Sequence, residues 1–138
     1  MIDHISFAVN NFEESRDFYD QTLSIIGYER LVNFDAEGHQ AAGYGKNGKP
    51  AFWIGKKEKL SEEDKREHVG QAAGFHVGFL ASDVDSVHQW YEKCLELGGR
   101  DNGAPGPRLE YHPGYYGAFI IDPSDWRIEA CFQNYQEA

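Results

Sequence analysis

DHISFAVNN, residues 3–11, and GFHVGFLASD, residues 74–83, decide how this chain folds. In the first, Ile5, Phe7 and Val9 alternate with His4, Ser6 and Ala8. In the second, Phe75, Val77 and Phe79 alternate with His76, Gly78 and Leu80. A period of two marks a strand that buries one face. Each strand runs into a helix signal. Asn11 suits an N-cap with Glu14 as its capping-box partner, and Phe12, Phe18, Tyr19, Leu23 and Ile26 follow at helical spacing up to Gly27. Asp83 suits the cap of a second helix bearing Val84, Val87, Tyr91, Cys94 and Leu95, ended by Gly98 and Gly99.

A shift of 72 residues superimposes the two halves: His4 falls on His76, Phe7 on Phe79, Phe18 on Trp90, Leu23 on Leu95 and Gly27 on Gly99. Further strands are predicted near 28–34, 40–45 and 51–55, and again near 108–111, 117–121 and 127–132, with Asp122-Pro123-Ser124-Asp125 turning between the last two. The expected fold is α+β. Two βαβββ repeats form a curved, barrel-like mixed sheet around a central cleft, with the helices outside. The whole of 1–138 reads as one domain: repeat one at about 1–56, an exposed charged linker at about 57–73, and repeat two at about 74–138. Ser61 and Asp64 have the spacing of a single capped turn within the linker.

Composition narrows the function. A net charge of −10 repels phosphate backbones and anionic membranes, so neither nucleic acid nor a membrane is an expected partner. There is no apolar run of about 18 residues and no basic-then-apolar leader. The two cysteines, Cys94 and Cys131, make no disulfide framework, so a cytoplasmic protein is expected.

The faces opposite the bulky apolar rows carry the chemistry. Beside His4 and His76 stand small residues, Ser6, Ala8 and Gly78, which leave room above the sheet. In the last strand, RIEACF, Glu129 shares a face with Arg127 and Cys131, opposite Ile128, Ala130 and Phe132. A mid-strand carboxylate is costly if buried without a partner, and a divalent cation would compensate it. Two imidazoles and one carboxylate suit Fe, Mn, Zn, Ni or Co with positions left open for substrate. The loop RLEYHPGYYG, 108–117, adds His112 as a candidate acid or base, Tyr115 or Tyr116 as a donor to a developing oxyanion, and Arg108 as a partner for a substrate carboxylate. Trp53 reads as a stacking wall for a ligand. His39, His68 and His88 read as exposed.

The segments DHISFAVNNFEESRDFYDQTL, GFHVGFLASDVDSVHQWYEKCLELGG and GAFIIDPSDWRIEACF together resemble the vicinal oxygen chelate superfamily. That group includes glyoxalase I, extradiol dioxygenases, methylmalonyl-CoA epimerase and the bleomycin-resistance proteins. The resemblance implies metal ligands at His4, His76 and Glu129. Trp53 falls where glyoxalase I has a carboxylate and the epimerase a glutamine. His112 and Glu129 are spaced as in the extradiol dioxygenases, with Phe119 at that family's tyrosine. The implied activity is that of a metal-dependent lyase, isomerase or dioxygenase acting on a small oxygen-rich substrate held through two oxygens, in a homodimer. The alternative is a metal-free protein that sequesters a small molecule, as bleomycin-resistance proteins do.

Overall fold

The structure is a computed structural model that describes residues 1–36, 38–59, 61–63, 65, 68–70 and 74–138. The first half runs β1 (Ile5–Ala8), α1 (Phe12–Ile25), β2 (Glu29–Ala36), β3 (His39–Lys46) and β4 (Lys49–Lys57). The second runs β5 (Val77–Leu80), α2 (Val84–Glu96), β6 (Arg100–Pro107), β7 (Tyr116–Ile121) and β8 (Arg127–Phe132). Each half is a four-stranded mixed sheet, β1-β4-β3-β2 or β5-β8-β7-β6, so the two do not close into one barrel. In each, the first strand pairs parallel with the last. Ser6 lies beside Trp53 in one sheet and Gly78 beside Glu129 in the other, so the duplication holds residue by residue. No described helix is long and apolar enough to cross a membrane.

The helix boundaries follow the capping chemistry. Asn11 accepts from the Glu14 amide at 3.1 Å, while the reciprocal capping box forms on α2, between Asp83 and Ser86. Gly27 and Gly98 take positive φ just past the helix ends, where a left-handed residue satisfies the last carbonyls.

Three expectations need correction or lie outside the described residues. The sixth strand lies at 100–107, not 108–111. Its sequence, RDNGAPGP, carries two glycines and two prolines and reads as a turn, but an edge strand tolerates proline. Residues 108–111 form a turn instead, closed by the Tyr111 amide on the Arg108 carbonyl at 3.0 Å. On α2, Leu95 is 39% exposed although its counterpart Leu23 is buried. The buried stripe there is Ser86, Val87, Trp90 and Cys94, and the Trp90 indole fills it. The pair Ser61–Asp64 includes a residue, Asp64, outside those described.

One core joins the halves. Phe52 of β4 meets Phe7 of its own sheet and Phe79 of the other edge-on, both at 5.1 Å. Trp126 stacks flat on Phe7 at 4.3 Å and donates its indole N–H to the Ala8 carbonyl at 2.6 Å. Beside this joint lies a buried carboxylate. Asp122, in the β7–β8 turn, accepts from the Tyr19 hydroxyl of α1 at 2.5 Å and from the Ser124 and Trp126 amides, both at 2.8 Å.

Burial raises the Asp122 carboxyl to about 6, and its three donors only partly oppose that rise. The folded state therefore holds this proton more tightly than the unfolded chain. Above about 6 the ionised group costs stability, and the cost vanishes as pH falls below the ordinary carboxylate range. Its size is roughly 3 kcal/mol. Relative to Asp122→Asn, the wild-type protein should gain melting temperature between pH 7.5 and pH 5. Parallel melting-temperature curves for the two proteins would refute this.

Candidate functional site

The alternation of β8 puts Ile128 and Ala130 into the core and Glu129 onto the opposite, open face. Glu129 is nonetheless only 2% exposed. Its carboxylate sinks between two glycines on neighbouring strands. A Cβ at Gly117 of β7 would come within 2.9 Å of Oε1, and one at Gly78 of β5 within 3.4 Å of Oε2. The Tyr115 hydroxyl donates to Oε1, and His76 Nε2 lies 3.2 Å from Oε2. His76 is about half exposed, so its ring opens the buried carboxylate to the outside. Burial first, and then the carboxylate it donates to, push the Tyr115 hydroxyl well above its ordinary range, so it keeps its proton at neutral pH. Burial likewise raises the Cys131 thiol, which shares the Glu129 face.

The donor spacing can be tested against a metal. Ligands about 2.1 Å from one ion lie about 3.0 Å apart along an octahedral edge and about 3.4 Å apart along a tetrahedral one. The 3.2 Å between His76 Nε2 and Glu129 Oε2 falls within that range. The pair therefore fits a divalent ion as two of its ligands. Among the described residues no group of three His, Cys, Asp or Glu side chains converges to complete such a site.

His4 is held elsewhere. At the head of β1 its Nδ1 lies 2.7 Å from Asp3 Oδ1, and Lys49 Nζ clamps both Asp3 oxygens at 3.0 Å. The bonds to His4 and Lys49 hold the Asp3 carboxyl below its usual range. An ionised carboxylate only accepts, so Nδ1 carries a proton and the bond to Asp3 leaves Nε2 unengaged by it. Orientation of a ligating histidine by a carboxylate is a recurring feature of metal sites. Asp3 was not singled out by the sequence reading, although a carboxylate next to a candidate ligand was signal enough.

The remaining sequence candidates divide between the two faces of the sheets. Trp53 stands in the first sheet where Glu129 stands in the second, and its ring lies flat over Gly43, where a Cβ would meet it at 2.9 Å. Arg108 lies over the Phe119 ring, 5.5 Å from its centroid, and Phe119 is the ladder neighbour of Glu129. His112 packs edge-on against Tyr115 at 5.5 Å. Its Nδ1 accepts from the Gly114 amide, so Nε2 carries the proton toward Gln133 Oε1 at 2.6 Å. Tyr116 turns the other way, is buried against α2, and its hydroxyl lies 2.7 Å from His88 Nε2. His88, His39 and His68 are exposed residues, as expected. The structure thus brings His76, Glu129 and Tyr115 together, with Arg108 and His112 at the margins, and leaves His4 and Trp53 on the other sheet. Gly117, which makes room for the carboxylate, was missed because an isolated glycine in a strand has many readings.

Known structures share this architecture. A glyoxalase/bleomycin resistance protein from Albidiferax ferrireducens is 22% identical, with a TM-score of 0.71 over 94% of this chain and 96% of that one. A glyoxylase/bleomycin resistance protein/dioxygenase domain from Frankia is 14% identical, with a TM-score of 0.69 over 96% and 97%. Glyoxalase I from Zea mays is 19% identical, with a TM-score of 0.72. There, 95% of this chain covers 45% of the maize chain, so this protein spans under half its length. At such identities the likeness speaks to fold alone. No curated protein matches the sequence. A family model matches residues 1–130, and with the doubled βαβββ unit described above, the chain belongs to the Glyoxalase/Bleomycin resistance protein/Dioxygenase superfamily.

Proposed function

We propose that this protein is a metal-dependent enzyme, a lyase, isomerase or dioxygenase, that acts on a small substrate offering two adjacent oxygens. The observation that carries this reading is the buried Glu129 carboxylate with His76 Nε2 at coordination spacing from it. His76 and Glu129 would hold the ion, together with His4. Because the described residues of one chain bring only two ligands together, His4 would come from a second copy, making a homodimer with sites between subunits. Fe, Mn, Zn, Ni and Co all suit this donor set.

When bound, such an ion supplies Lewis acidity to the substrate's oxygens. The chain's own groups do the rest. Tyr115, its proton secured by burial and by Glu129, fixes the carboxylate and stands as a hydrogen-bond donor rather than a base. His112 backs the Tyr115 ring and supports its position. Asp3 holds the His4 ring through Nδ1 and would orient Nε2 toward the ion. Trp53, with Val32 and Phe34 exposed on the same face of the first sheet, forms an apolar wall that would exclude water once covered. That wall also favours a second reading, a metal-free protein that sequesters an aromatic molecule. Metal content decides between the two.

Elemental analysis of untagged protein should give about one equivalent of a transition ion per chain. Glu129→Gln and His76→Ala should each lose most of it, whereas full retention in both would leave the sequestration reading standing. Mixing His4→Ala chains with Glu129→Gln chains should restore roughly a quarter of the wild-type metal, since random pairing rebuilds one site in each mixed dimer. No restoration would assign all ligands to one chain. Asp3→Asn should weaken metal affinity about tenfold, read by competition with a chelator.

A further inference from the structure

We infer that the substrate carries a carboxylate beyond its two chelating oxygens, and that Arg108 binds it. The inference deepens the metal-centre reading above and rests on it for the position of the chelated end.

Arg108 is arranged as a binding cation rather than as half of a salt bridge. The chain carries 23 acidic and 13 basic residues, so a carboxylate partner is easily found. Arg30 and Arg100 each have one, Asp20 and Asp125, while Arg16 and Arg127, like Arg108, take part in none of the described ion pairs; Arg108 is set apart by its backbone tethers and its place over Phe119. Among the described ion pairs Arg108 has none. Its Nη2 donates to the Ala104 carbonyl at 2.7 Å and its Nη1 to the Pro107 carbonyl at 3.3 Å, both neutral backbone acceptors of the preceding strand β6. Those bonds fix the plane of the guanidinium without supplying a counter-charge, and none of the described ion pairs supplies one. A guanidinium has five N–H donors, enough to keep a forked face for a carboxylate.

The surrounding backbone is cut to hold it there. β6 slips register on both sides of Gly103, which adopts φ +149. A Cβ at Gly103 would come within 3.0 Å of the Phe119 ring and 3.4 Å of Arg108 Nη2, and one at Gly106 within 3.1 Å of Nη1. Both glycines thus clear a track along which the guanidinium lies over Phe119. The Phe119 ring is 6.0 Å from His76, and Phe119 is the ladder neighbour of Glu129. The cation therefore lies on the same open face, one aromatic ring from the metal pair. An anionic ligand approaching a protein of net charge −10 needs such a local positive group.

The test compares matched ligands by calorimetry on the metal-loaded protein. The probes 2-oxoglutarate, 2-oxoadipate and 2-oxopimelate each present a 2-oxo acid for chelation and a distal carboxylate. Their controls, 2-oxopentanoate, 2-oxohexanoate and 2-oxoheptanoate, lack only the distal charge. At least one diacid should bind about tenfold or more tighter than its control. Arg108→Gln should abolish that preference and leave the monoacid affinities unchanged. Equal affinities in the wild type across the series, a preference that survives Arg108→Gln, or binding of none of the probes would each overturn the inference. Equal affinities to a loaded site would leave the metal reading intact. An Arg108-dependent diacid preference in protein that takes up no metal would keep the anion subsite, and the failure to take up metal would overturn the metal reading.

Discussion

Phe52 is the joint on which the molecule depends. It packs edge-on against Phe7 in its own sheet and Phe79 in the other, with Tyr19 of α1 at 4.9 Å. Neither half has a complete core without it. A four-stranded sheet with one helix leaves apolar surface uncovered, and the two halves cover each other. Once the apolar rows face this joint, strand alternation leaves no choice about the other rows. His4, Ser6 and Trp53 are turned to the open face of one sheet, and His76, Gly78 and Glu129 to that of the other. The open face is a consequence of the packing face.

The halves share a backbone plan but differ in what fills equivalent places. In the first sheet a large Trp53 lies over a small Gly43. In the second, Glu129 stands beside a large Phe119, with gaps at Gly78 and Gly117. Volume is thus conserved roughly while chemistry is not. One face carries an apolar wall and the other a polar recess.

Among the described residues two carboxylates are buried, and their partners differ. Asp122 is met by a hydroxyl and two backbone amides, all fixed donors within one turn and one helix. Such a group locks two segments together. Glu129 is met by one hydroxyl and a half-exposed imidazole, which leaves Oε2 facing a group open to solvent. A buried charge is tolerated where its lone pairs are used.

The sequence by itself determined the elements, their doubling and the faces of most strands. These depend on near-neighbour chemistry: period-two alternation, side-chain caps at Asn11 and Asp83, and glycines past the helix ends. It also brought out His76, Glu129, Tyr115 and Arg108 as members of one face or one loop. Tertiary structure alone decided what they touch. That Tyr115 reaches Glu129 while Tyr116 turns to His88 follows from one step of alternation at the start of β7, which a glycine-rich loop does not reveal. That His4 and His76 lie on separate sheets follows from how the halves pack, through contacts between residues far apart in the chain, whereas the His4–Asp3 contact joins chain neighbours. The strand at 100–107 was illegible for a related reason. Its glycines and prolines argue locally for a turn, and only pairing with β7, together with the room Arg108 needs over Phe119, makes that sequence a strand.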